Sequence, residues 1–121
     1  MSKKVLIVED NEDTRGFMKF LIEGYGYQVV EATDGIEALE RFKHQPPDII
    51  LMDISLPFVD GLTTARAIRE FETADNVPII VVTALGKIYH DEAIEAGCNH
   101  LLTKPLDFDV LEPLMEKYLS P

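Results

Sequence analysis

Asp48-Ile49-Ile50-Leu51-Met52-Asp53-Ile54-Ser55-Leu56-Pro57, with Asp60-Gly61 just beyond, is the stretch whose reading decides the fold. Four consecutive apolar residues run into a carboxylate, and turn-forming residues follow at once. A short apolar run without polar alternation suits a strand buried on both faces of a parallel sheet. Pro46-Pro47 on one side and Pro57 with Gly61 on the other bracket the run. Asp53 therefore falls at the carboxyl end of the strand, the edge on which open α/β sheets place their ligands. A lone aspartate after a strand more often serves only the turn. What ends the other strands decides between the two roles.

Outward from this run, a strand and a helix alternate five times. Val5 to Val8 is apolar and leads into Glu9-Asp10-Asn11-Glu12-Asp13. Behind it Phe17, Met18, Phe20 and Leu21 recur at helical spacing until Gly24 and Gly26. Gln28 to Ala32 reads as a weaker, more exposed strand. Asp34-Gly35-Ile36-Glu37 has the form of a capping box, and Ile36, Leu39 and Phe42 give the next helix an apolar stripe. After the central strand, Asp60 opens a third helix with Leu62, Ala65, Ile68 and Phe71 facing inward. Val77 to Val82 is a β-branched run with Pro78 near its start, since proline cannot donate to a ladder, and it ends at Thr83-Ala84. A short polar helix from about Ile88 to Ala96 stops at Gly97. His100 to Thr103 forms a fifth strand closed by Lys104-Pro105, and Asp107 caps a last helix carrying Val110, Leu111, Leu114, Met115 and Tyr118. The alternation predicts one α/β domain over residues 1–121, a parallel sheet with helices on both faces.

The composition excludes several functions. Acidic residues outnumber basic ones 22 to 11, a net charge of −11 that repels nucleic acid and anionic membranes. The apolar run behind Met1-Ser2-Lys3-Lys4 is too short for a signal peptide, and no segment is long enough to span a membrane. The single Cys98 permits no internal disulfide, in keeping with a cytoplasmic location, and reads as a small packing residue. His44, His90 and His100 show no ligand spacing and read as surface or edge residues.

The strand ends share a chemistry. The first strand delivers Glu9 and Asp10, the third Asp53, the fourth Thr83 and the fifth Lys104, and parallel strands bring these to one edge. Clustered carboxylates raise one another's proton affinity unless a cation sits among them. Oxygen ligands with no nearby histidine or thiol favour magnesium. A hydroxyl and an ammonium on the same rim suit the remaining oxygens of a phosphoryl group. Together they describe a magnesium-assisted phosphoryl site with Asp53 as nucleophile.

The Val-Glu-Asp-Asn start, the Asp48-to-Asp53 run with Leu56-Pro57 and Asp60-Gly61, Thr83-Ala84 and Lys104-Pro105 resemble the receiver domain of two-component response regulators across essentially the whole chain. The resemblance implies a flavodoxin-like three-layer sandwich, with a five-stranded parallel sheet in the order 2-1-3-4-5 and five helices. It implies a phosphorylation-dependent switch rather than an enzyme, in which Asp53 takes a phosphoryl group from a histidine kinase or phosphotransfer protein. Asp10, Asp53 and the Ser55 backbone carbonyl would bind Mg2+ directly, and Glu9 through a metal-bound water. Lys104 would pair with the phosphoryl group and Thr83 would swing to hydrogen-bond it.

The chain departs from the family pattern at Leu101, three positions before Lys104, where an aromatic residue is common. Ser55 and Leu85 stand where the family tunes water access and phosphate lifetime. The natural-looking start at Met1 favours a stand-alone regulator over a receiver excised from a larger kinase or regulator. Two rivals share part of the pattern. An aspartyl-phosphate phosphatase wants a second aspartate two residues after the nucleophile, where Ser55 stands. A flavodoxin-like cofactor binder wants a Ser/Thr/Gly-rich phosphate loop where Glu9 to Asp13 would repel a phosphate.

Overall fold

Each apolar run becomes a strand and each periodic segment a helix in the computed structural model, which describes residues 2–84 and 86–120. Leu85, one of the two positions read as tuning water access, lies outside the described residues. In chain order the elements are β1 (Lys4–Val8), α1 (Glu12–Gly24), β2 (Gln28–Ala32), α2 (Gly35–His44) and β3 (Ile49–Asp53). There follow α3 (Gly61–Arg69), a 3-10 turn (Glu72–Ala74), β4 (Ile79–Thr83), α4 (Gly86–Glu95), β5 (His100–Thr103) and α5 (Phe108–Leu119). All pairings are parallel and the sheet order is β2-β1-β3-β4-β5, as expected. Pro78 stands just before β4, where only its carbonyl is needed, accepting from Ile50 N at 2.9 Å.

Alternation along the central strands divides the interior in two. Leu6, Val8, Ile50, Met52, Ile79 and Val81 pack with Phe42 of α2, Leu62, Ala65 and Ile68 of α3, and Ala93 of α4. Val5, Ile7, Ile49, Leu51, Ile80 and Val82 pack with Met18, Leu21 and Ile22 of α1 and Leu111, Leu114 and Met115 of α5. β1, β3 and β4 are therefore apolar on both faces, which is why their sequences show no polar alternation. Among the described residues no helix is long and apolar enough to cross a membrane.

Side-chain detail departs from the periodicity in three helices. α1 buries Met18, Leu21 and Ile22, whereas Phe17 is half-exposed and Phe20 is 74% exposed. Ile36 of α2 and Val110 of α5 also face solvent. In α1 two interleaved sets satisfy helical spacing and share Leu21, so periodicity alone cannot choose the buried one. The capping box forms in a shifted version. Asp34 Oδ1 accepts from Glu37 N at 2.7 Å, but the Glu37 carboxylate reaches Thr33 N and Oγ1, one residue before the cap. α4 begins at Gly86, earlier than expected, and Gly97 behind it takes a left-handed φ of 93°.

Candidate functional site

The carboxyl ends of β1, β3, β4 and β5 meet at one edge. Glu9 follows β1 directly, and Asn11 caps α1 by accepting from Thr14 N at 2.9 Å. Glu9 is buried at 1% exposure, while Asp10 between it and the cap remains exposed. Asp53 ends β3 at 5% exposure, and Thr83 ends β4 at 2%. β4 and β5 are tied at the same level by Lys104 N donating to Thr83 O at 2.8 Å, and the Lys104–Pro105 peptide is cis.

Lys104 joins the two buried acids. Its Nζ lies 2.8 Å from Asp53 Oδ2 and 3.1 Å from Glu9 Oε1. Backbone amides hold the other oxygens: Ser55 N donates to Asp53 Oδ1 at 2.9 Å, and Asn11 N to Glu9 Oε2 at 3.1 Å. Oxygens of Glu9, Asp10 and Asp53 lie within 4.8 Å of one another. Burial pushes the Glu9 carboxyl above its ordinary value; the Asn11 amide and Lys104 oppose this, and the Asp53 charge reinforces it. Burial alone would lower the Lys104 ammonium, but hydrogen bonds to Asp53 and Glu9 more than offset that and raise it.

The third helix is brought down onto this edge. Gly61 N donates to Ile54 O at 2.8 Å, and a β-carbon at Gly61 would collide with the Asp53 carbonyl oxygen. Only glycine fits there, which gives the Asp60-Gly61 pair of the sequence a physical meaning. Between Asp53 and Gly61 the loop carries Phe58 at φ 67°, 85% exposed.

The structure thus brings together Glu9, Asp10, Asp53 and Lys104, with Thr83 at the adjoining strand end and the Ser55 amide on Asp53. Leu101 stands apart: half-buried, it packs into the core under α2, α3 and α4, with its Cα opposite Val81. Sequence reading gave no role to Arg15, whose Nη1 donates to the Glu9 carbonyl at 3.0 Å and whose Nε donates to Glu31 Oε1 at 3.2 Å. The Arg15–Glu31 contact joins α1 to β2, so no local spacing announces it.

Residues 5–116 match the sequence model of the response regulator receiver domain. Over 121 residues the chain is 37% identical to the polar-differentiation response regulator DivK of Brucella ovis, covering 99% of this chain and 98% of that one. It is similar to the receiver domain of a sensor histidine kinase from Pseudomonas aeruginosa, solved with a magnesium ion in its active-site cleft, at TM-score 0.90 and 33% identity over 98% of each chain. It also resembles the receiver domain of the Saccharomyces cerevisiae response regulator Ssk1, solved with the histidine phosphotransfer protein Ypd1. There the TM-score is 0.87 at 28% identity, over 97% of this chain and 88% of that one. The chain belongs to this family: it is a response regulator receiver domain, a switch of two-component signalling.

Proposed function

We propose that Asp53 is the phosphoacceptor, and that Lys104, Thr83 and a magnesium ion assist the transfer. The observation that carries this reading is the Lys104 ammonium shared between the buried Asp53 and Glu9 carboxylates, with Asp10 beside them. Three carboxylates face one ammonium, so two negative charges stay uncompensated, and a hard divalent cation with oxygen ligands balances them. The donor set fits magnesium. Asp10, Asp53 and the Ser55 carbonyl would hold it directly and Glu9 through water. Once bound, magnesium supplies positive charge against the oxygens of an incoming phosphoryl group.

The chemistry then follows from the residues. An Asp53 oxygen gives an electron pair to phosphorus as the P–N bond of a phosphohistidine breaks. Its electrons return to the imidazole, which takes a proton from solvent. Lys104 is already 2.8 Å from Asp53 and moves its hydrogen bond to a phosphoryl oxygen, offsetting the like-charge repulsion that hinders a carboxylate nucleophile. Thr83 donates its hydroxyl to another phosphoryl oxygen. Water later attacks phosphorus, the acyl P–O bond breaks, and carboxylate and inorganic phosphate return. The protein changes its own covalent state rather than turning over a metabolite. Its donor is a histidine kinase or histidine phosphotransfer protein, and the cytoplasm is where it works.

Incubation with magnesium and acetyl phosphate tests the assignment by intact mass. One phosphoryl group should add to the wild type and none to Asp53→Asn. Equal labelling of the two would overturn it.

A further inference from the structure

The polar atoms of Glu9 are all engaged. Its N–H donates to Ala32 O of β2 at 3.1 Å, and its carboxylate accepts from Asn11 N and Lys104 Nζ. Its carbonyl accepts from Arg15 Nη1 at 3.0 Å. That carbonyl belongs to the planar peptide unit ending at the Asp10 Cα, so fixing its oxygen fixes the direction in which Asp10 leaves β1. Asp10 is exposed, and its carboxylate accepts no hydrogen bond among the described residues. Its aim comes from the backbone that carries it.

Arg15 is itself held in place. Its side chain is 16% exposed, and Nε donates to Glu31 Oε1 at 3.2 Å from the same planar group that reaches Glu9. Glu31 is steered on its other oxygen by Lys19 at 3.4 Å, and its backbone carbonyl accepts from Arg41 Nε of α2 at 3.2 Å. A rigid fork of N–H donors that holds two acceptors in fixed directions is what arginine supplies and lysine does not.

We propose that Arg15, oriented by Glu31, is a positioning residue for the cation site, holding the Glu9–Asp10 peptide so that the Asp10 carboxylate faces Asp53. The inference rests on the reading that Asp10 and Asp53 hold magnesium. It makes a prediction opposite in sign to simple electrostatics. As a nearby positive charge Arg15 repels a cation, so its removal should tighten magnesium binding; as a positioning group its removal should weaken it. Glu31 gives the mirror image. Loss of its charge should weaken binding on electrostatic grounds, whereas glutamine keeps an acceptor for Arg15 Nε and should leave binding nearly unchanged.

Magnesium affinity of the intact chain, measured calorimetrically beside the metal-free melting temperature, separates these outcomes. Arg15→Met should weaken magnesium binding by about tenfold, the scale on which groups behind metal ligands act. Arg15→Lys should recover part of that loss, and Glu31→Gln should bind like wild type. Tighter or unchanged binding in Arg15→Met overturns the proposal, as does a Glu31→Gln loss equal to that of Arg15→Met. Should Arg15→Met not fold, Arg15→Lys and Glu31→Gln carry the comparison: weakened lysine and wild-type-like glutamine support it, and the reverse order refutes it. A wild-type chain that binds no magnesium sinks the underlying site reading, a result distinct from wild-type binding that ignores Arg15.

Discussion

Glu9 and Lys104 stand 95 residues apart in the chain and meet at 3.1 Å between Oε1 and Nζ. The pairing closes β5 onto β1 across the top of the two strands between them, and it places a single cation where two buried acids need one. Glu9 binds its proton more tightly in the fold than in the unfolded chain, where its reference value is 4.5. A carboxyl shifted upward contributes stability at low pH and loses it as pH rises from 4.5 through its folded-state value. Glutamine has no such loss. In metal-free buffer, the stability of Glu9→Gln relative to wild type should therefore move in the variant's favour between about pH 4 and about pH 7. Urea melts at the two pH values check this, and a difference that does not change with pH contradicts it.

Removing one member of the acid cluster should separate metal affinity from fold stability. Magnesium should raise the melting temperature of the wild type, because a ligand of the native state alone stabilises it. Asp10→Ala should lose that response and melt slightly higher than wild type in chelator, one repulsive charge being gone. The gain is small because Asp10 is exposed. An undiminished magnesium response in the variant refutes a direct ligand role for Asp10.

Leu101 is half-buried rather than fully enclosed. Leu101→Ala should cost about 1–2 kcal/mol, less than a fully buried leucine would. Labelling by acetyl phosphate should persist, since Leu101 lies apart from the edge constellation. Phosphate-dependent changes in amide exchange across residues 83–94 should also persist, because no aromatic ring is present at this position to report the switch. Their disappearance with labelling intact would make Leu101 the transmitter.

Phe58 holds φ 67° with its ring almost wholly in solvent. A left-handed backbone costs an ordinary residue about 1 kcal/mol, and asparagine tolerates it better. Phe58→Asn should raise the melting temperature slightly, with little buried area lost. A lower melting temperature would show that the exposed ring contributes more than its exposure implies.

The central strands were legible because residues buried on both faces leave an unmistakable apolar run, and the edge chemistry because parallel strands align their ends. Thr83, Lys104, Asp53 and Glu9 could all be placed by that single geometric fact. Helix faces were harder. Phe17 and Phe20 fit the inward stripe of α1 as well as Met18 and Ile22 do, and the helix rotation that decides between them depends on tertiary packing. Arg15 was invisible for a different reason: one acceptor is a backbone carbonyl and the other a residue on β2, so neither leaves a sequence pattern.

The sheet is a partition wall. Neighbouring residues of β1, such as Leu6 and Ile7, project into different cores, one shared with Phe42 and the other with Met115. Truncations confined to opposite sides, for instance Phe42→Leu and Met115→Ala, should therefore combine additively, as independent sites do. At the carboxyl edge the wall ends: Val8 and Met52 of one core lead directly into Glu9 and Asp53, and Val82 of the other leads into Thr83. Strands from both interiors end at that rim, so on the proposed reading a phosphoryl group on Asp53 has a route of transmission toward either face of the molecule.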